Sequence, residues 1–287
     1  MTGYVLAALL LAALCHASWN AIMGSLKGLE PIAKSALLYL ASAICCLPLA
    51  IYFGPISAAA MPFLLTSVVT SNLYVIALMY AFRDGYTNQV YPIVRATSVL
   101  LTLIIGMEAF GEQVGVSGTV GIVTVMAGVA LVSLPTKKMP TADSRAVKLL
   151  SSAGFALAAA TFLASGLLVD GFGARLSGNV HSYIALKFVL TGAGAILIAV
   201  IARGPQVFVA MSKHWRSGGA AGVLSCAVYG IGIWAMSMEA IPKVAVIRDT
   251  SILFLALITY FKGEPFPPIR VAATIIVAAG VILIGLR

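Results

Sequence analysis

Apolar residues in this chain neither alternate nor keep to one helical face. They run on in long blocks, broken by short stretches that hold Pro, Gly, Lys or Arg. A bilayer core about 30 Å thick takes about 20 helical residues to cross. Ten blocks come close to that length: 3–24, 31–53, 61–82, 88–107, 116–134, 147–169, 180–202, 218–238, 244–261 and 268–286. They are continuous and rich in Leu and Ala, without the alternation of a transmembrane barrel strand, so they predict helices. No Lys or Arg precedes the first block, which is also too long for the core of a signal peptide, so it reads as a span of the mature protein.

The breaks carry the charge. With the spans laid end to end, Lys27, Lys34, Arg83, Lys137, Lys138, Arg145, Lys148, Arg203, Lys213, Arg216, Lys262 and Arg270 fall on one side, and Arg175, Lys243 and Arg287 on the other. Cytoplasmic loops collect Lys and Arg, so the crowded side is expected to be cytoplasmic and both termini periplasmic. Composition agrees: 61% of the 287 residues are hydrophobic and 9% charged, too few charges to cover a water-facing surface. The net charge of +9 forms no dense basic stripe and no nucleic-acid module, so nucleic acid is not an expected partner. Cys15, Cys45, Cys46 and Cys226 lie inside apolar blocks without metal-ligand spacing, and read as reduced packing residues.

One pattern occurs twice. Val94-Arg95-Ala96-Thr97-Ser98-Val99-Leu100 returns as Ile247-Arg248-Asp249-Thr250-Ser251-Ile252-Leu253. At almost the same offset Gly111-Glu112 returns as Gly263-Glu264, and Ala127-Gly128-Val129-Ala130-Leu131 as Ala279-Gly280-Val281-Ile282-Leu283. Ala17-Ser18 is echoed more weakly by Ala164-Ser165. Two related units are expected, 1–136 and 147–287, joined by a polar linker at 137–146. Five spans is an odd number, so the second unit enters the membrane in the opposite sense to the first. Inverted repeats of this kind are built into many secondary transporters, whose substrate sites lie near the midplane between the repeats.

Five plus five spans, a Gly-Glu after the fourth and ninth, and an Ala-Gly-Val close to the fifth and tenth resemble the EamA-like family of the drug/metabolite transporter superfamily. The resemblance covers almost the whole chain. It implies an all-α integral membrane fold of ten transmembrane helices, in which spans one, three, four, six, eight and nine surround a central cavity and the last span of each half is peripheral. It also implies a multi-pass protein of a bacterial inner membrane that carries small organic solutes, amino acids among them.

An ionisable group inside a span is costly, about 2.5–3.5 kcal/mol on insertion scales, and marks a candidate site. Arg95 and Arg248 lead: each lies on the order of 10 Å into its span, and a guanidinium fork suits a carboxylate or phosphonate. The alternative is that each pairs with carbonyls or a carboxylate and only holds helices together. Asp249, replaced by Ala96 in the first copy, is open to a structural ion pair or to proton or cation coupling. His16, Trp19 and Asn20 share one face of the first span and suit a cavity wall, with His16 also able to take up a proton. Tyr91 stands one turn before Arg95, next to Pro92, whose missing donor is expected to loosen that turn. Asn72, Tyr74 and Tyr80 in the third span, and Tyr229 and Trp234 in the eighth, could supply stacking or hydroxyl contacts. Tyr4, Tyr52 and Tyr260 read as interfacial anchors. Lys187 and His181 are expected to snorkel toward a membrane surface. Glu112 and Glu264 read as carboxylates at the start of the following span.

The pattern points to a secondary transporter working by alternating access on an anionic or zwitterionic metabolite, as monomer or homodimer and open to proton or ion coupling. No P-loop and no cofactor or metal motif occurs, and the first span lacks an acid of the kind that small multidrug pumps use for cations. A membrane-embedded enzyme acting on a lipid or hydrophobic substrate is the alternative class. It would need clustered nucleophiles, bases or metal ligands, whereas His16, His181 and His214 are scattered and no catalytic residue is assigned. A channel is the third.

Overall fold

The computed structural model describes residues 1–26, 28–84, 87–132, 146–251, 253–254, 260 and 268–285. They form helices α1 (Gly3–Ser25), α2 (Pro31–Phe53), α3 (Met61–Asp84), α4 (Thr87–Phe110), α5 (Gly115–Val132), α6 (Ala146–Leu176), α7 (Val180–Arg203), α8 (Val207–Ser212), α9 (Trp215–Met236), α10 (Ile241–Asp249) and α11 (Pro268–Gly285), with a short 3-10 turn at Ala58–Ala60 and no strand among the described residues. Ends are set locally. Asn179 accepts bonds from the backbone N–H of His181 and Ser182 at the start of α7, Pro31 opens α2, and Gly54 and Gly204 close α2 and α7 with φ of 74° and 71°.

Among the described residues seven helices, α1, α2, α3, α4, α6, α7 and α9, hold a stretch long and apolar enough to cross a membrane. Gly115–Leu131 and Val271–Gly285 are apolar but shorter. Large aliphatic side chains cover the outside: Val116, Ile201 and Ile51 are 83%, 77% and 76% exposed. A surface of this kind is stable against acyl chains and not against water.

The sequence reading needs amending at three places. Helix α6 runs on through Asp170 to Leu176, past the expected end at 169. A short helix, α8, precedes α9. Helix α10 ends at Asp249, where the N–H of Thr250 bonds the Ile247 carbonyl and that of Leu253 bonds the Thr250 carbonyl, a tightened 3-10 geometry.

The main packing pairs are α3 with α6, α5 with α11, α2 with α7, α1 with α9, α4 with α6 and α2 with α9. Small residues allow the closest approaches. A Cβ on Gly121 of α5 would lie 2.8 Å from the carbonyl oxygen of Gly280 on α11, so neither position accepts a side chain without separating the two helices.

Contacts also sort the loops into two ends. At one end Glu112 meets Arg175, the Thr2 N–H bonds Glu239 (3.0 Å), and Ser57 bonds the Leu176 carbonyl (2.6 Å). At the other, Arg203 at the end of α7 meets Glu30 before α2 at 2.7 Å.

Candidate functional site

Two buried clusters of charge lie inside this apolar bundle. In the first, Arg95 of α4 reaches Asp249 at the end of α10, with Nη1 2.6 Å from Oδ1. Its Nη2 lies 3.2 Å from His16 Nε2 on α1. Arginine only donates, so Nε2 accepts and the imidazole proton sits on Nδ1, which has no hydrogen-bond partner. All three residues are buried. Trp19 presents its ring edge-on to His16 (5.1 Å between centroids), and Asn20 donates to the His16 carbonyl (2.8 Å). The shared face expected for these residues is occupied by these mutual contacts.

The second cluster was not expected from sequence. Asp170 of α6 accepts from Ser67 Oγ of α3 (2.6 Å), from Tyr183 OH (3.3 Å), and from Lys187 Nζ of α7. Lys187 therefore does not snorkel. Its ammonium turns inward, where the carboxylate compensates a charge that acyl chains could not. His181, in contrast, is exposed in the first turn of α7 and stacks on Phe53 (5.3 Å).

A cavity, whose empty volume with the open solvent at its mouth is about 590 Å³, adjoins both clusters. Its wall includes Tyr39 of α2, Ser71 and Tyr74 of α3, Phe162 and Asp170 of α6, Lys187 and Thr191 of α7, Tyr229 of α9 and Arg248 of α10. Arg248 rests on the face of Tyr229 (4.7 Å from Cζ to the ring centre), and its Nε has no acceptor. Gly232 makes room for it, since a Cβ there would lie 2.9 Å from Nη1 and 3.1 Å from Cδ. The Tyr229 ring also meets His16 (6.0 Å), which links cavity and first cluster. Thr191 Oγ1, fully buried on the wall, is another polar atom without a partner.

Residues 1–134 match the EamA-like transporter family. No curated protein matches this chain in sequence. A crystal structure described only as that of a protein aligns over 99% of this chain and 98% of its own, with a TM-score of 0.74 and 14% identity. At that identity the likeness is one of fold, and it extends the fold over both halves.

Of the expected site residues, Arg248, Tyr229 and Tyr74 line the cavity, while Arg95, Asp249, His16, Trp19 and Asn20 form the adjoining cluster. Asn72 lines a smaller cavity of about 280 Å³, which shares Tyr39 with the first and runs between α2, α3 and α7 past Ile32 and Ser35, toward the end that holds Glu30. Trp234 packs against Tyr4 (6.2 Å) and Tyr80 on Phe155 (5.1 Å), both away from the cavity wall. The side chains of Tyr91 and Pro92 lie outside the described residues. The wall departs from the set of spans that the resemblance implied: α2 and α7 contribute to it, whereas α1 and α4 furnish the Arg95 cluster. Glu112 departs too. It does not serve α5. Its Oε2 accepts the first N–H of α10, from Ile241 (2.9 Å), and its other oxygen pairs with Arg175, which also donates to the Met236 and Glu239 carbonyls (3.0 and 2.9 Å). Glu264 lies outside the described residues. Among the described residues no three His, Cys, Asp or Glu side chains converge as metal ligands would.

Proposed function

We propose that this EamA-like protein is a secondary transporter that moves a small polar metabolite, an anionic or zwitterionic solute of the size of an amino acid, across a bacterial inner membrane by alternating access. The observation that carries the reading is a cavity lined by Arg248, Lys187 and Asp170 within a bundle whose exterior is aliphatic. Charge placed there is costly and has no structural use that an apolar residue would not serve as well.

The packing supports ten spans in two inverted units, 1–136 and 147–287. Let α1, α2, α3, α4 and α5 correspond in order to α6, α7, α9, α10 and α11. Exchanging the units then turns the α3–α6 pair into α9–α1, and α4–α6 into α10–α1, while α2–α7 and α5–α11 map onto themselves. Each of these pairs is in contact. The Glu112–Arg175 tie closes the end that carries the N-terminus, and the smaller cavity leads toward the opposite, cytoplasmic end. Alternating access then amounts to breaking that tie while the cytoplasmic passage shuts.

Arg95, Asp249 and His16 are the place for coupling to a proton. A proton on His16 Nε2 would end its role as acceptor for Arg95 and release one side of the cluster. The test is flux in proteoliposomes. Preloaded vesicles should accumulate labelled solute by counterflow, with saturation, and only when protein is present. Single-channel currents, or turnover of a lipid with no solute flux, would overturn the carrier reading.

A further inference from the structure

We infer that the cavity selects solutes carrying one anionic group and no ammonium, with Arg248 as the anchor; the inference rests on the carrier reading and narrows its substrate class. The wall holds three charged groups, and they are not equivalent. Asp170 is the sole carboxylate among the described residues of the wall, and both its oxygens are occupied: Oδ1 by the Ser67 and Tyr183 hydroxyls, Oδ2 by Lys187. Lys187 is in turn committed to Asp170. Arg248 has no carboxylate within ion-pair distance among the described residues. It is 4% exposed, faces the ring of Tyr229, and its Nε lacks an acceptor.

The cavity thus offers one cation without a carboxylate partner among the described residues, and one carboxylate whose charge Lys187 already neutralises. A carboxylate, phosphonate or sulfonate entering it neutralises the guanidinium and supplies the missing acceptor. A zwitterion brings the same anion together with an ammonium that finds every carboxylate engaged, and an unsatisfied buried charge costs about tenfold in affinity or more. A second unpartnered atom points the same way. Thr191 Oγ1, fully buried on the same wall, is a neutral hydroxyl that can donate to an anion. The remaining wall, with Tyr39, Phe162 and Phe188, is aromatic and suits an apolar body behind the charged group.

Matched solutes that share one apolar body test this: 3-phenylpropionate, L-phenylalanine, phenethylamine and 3-phenylpropionamide, with hexanoate, L-norleucine and pentylamine as the aliphatic set. Each is measured by thermal shift of the detergent-solubilised full chain and by flux in proteoliposomes. The acid of a set should bind about tenfold or more tightly than its amino acid, and the amine and amide should not compete with it. Arg248→Gln should weaken the acid by about tenfold or more, Arg248→Lys by less, and Thr191→Val by a few-fold. Should Arg248→Gln fail to fold, the Lys and Val variants carry the test alone. Equal or tighter binding of an amino acid or amine, or acid binding indifferent to these substitutions, overturns the inference while leaving a carrier in place. Absence of flux for every member of both sets, in vesicles shown to hold folded protein, sinks the carrier reading and this inference with it.

Discussion

Arg95 and Arg248 sit in the same seven-residue pattern, yet their surroundings differ. Arg95 is held by a carboxylate at 2.6 Å and an imidazole at 3.2 Å, whereas Arg248 lies against an aromatic ring at the edge of a cavity. The cause is one substitution between the copies. The residue after Arg95 is Ala96, and the residue after Arg248 is Asp249. A helix turns adjacent residues about 100° apart, so Asp249 faces away from its own neighbour and meets the arginine of the other copy. The acid that could have neutralised Arg248 is thus engaged across the interface. The comparison teaches that one asymmetric acid, placed in only one occurrence of the pattern, pairs with Arg95 and leaves Arg248 without a carboxylate among the described residues, which is the cation the proposed carrier would use.

The largest expected effect breaks the structural member of the pair. Asp249→Ala leaves Arg95 buried without its carboxylate and should cost about 3–5 kcal/mol of stability, read as thermal unfolding in detergent. Arg95→Leu combined with Asp249→Leu should recover most of that loss, because two well-packed apolar groups replace a pair instead of orphaning one member. Strict additivity of the single losses would show that the two side chains are not coupled. Lys187→Met comes next, at about 2–3 kcal/mol, since Asp170 would retain its two hydroxyl donors but lose its cation; unfolding unchanged from the parent would contradict the burial of that pair. Smaller again is Glu112→Gln. Its partner Arg175 is 29% exposed at the side chain, so the lost pair contributes about 1 kcal/mol. The informative readout is conformational: spin labels at positions 116 and 176, which flank this tie, should report a population at longer distance. A distribution identical to the parent would remove Glu112 from the closure of that end.

Much of the architecture was legible because membrane spans are written in residue type. Apolar runs of sufficient length have one stable state in lipid, and the α2 span, 31–53 from sequence, is Pro31–Phe53 in the structure. The same rule hid the second charged cluster. In the sequence charge reads as punctuation, so the sixth span is expected to end at 169, one residue before Asp170, and Lys187 is expected near a surface. Residue type alone does not say that a carboxylate and an ammonium on neighbouring helices will meet and remain inside. The signal that could have found them is their spacing: Asp170 lies six residues before the end of α6 and Lys187 seven after the start of α7, so an antiparallel hairpin brings both to one depth. Glu112 was misjudged for a related reason, because a sequence ranks helix starts by proximity along the chain, and the helix start it serves, at Ile241, is nearest only in space.

The smallest effect on stability is also the one with opposite sign. Arg248 is buried, lacks a carboxylate in ion-pair distance among the described residues, and gains from Tyr229 a cation–π contact of about 2 kcal/mol or somewhat more when desolvated. That does not offset the several kcal/mol that an ion loses on leaving water. Replacing it with an apolar side chain of similar length relieves the deficit, so Arg248→Met should raise stability by about 1 kcal/mol while abolishing solute flux. Arg95→Met, by contrast, should lower stability because it strands Asp249. Thermal unfolding of both variants, paired with counterflow in vesicles, separates the two arginines directly. If both substitutions destabilise to the same degree, Arg248 has a partner in the folded protein, and the division of labour between the two copies fails at its root.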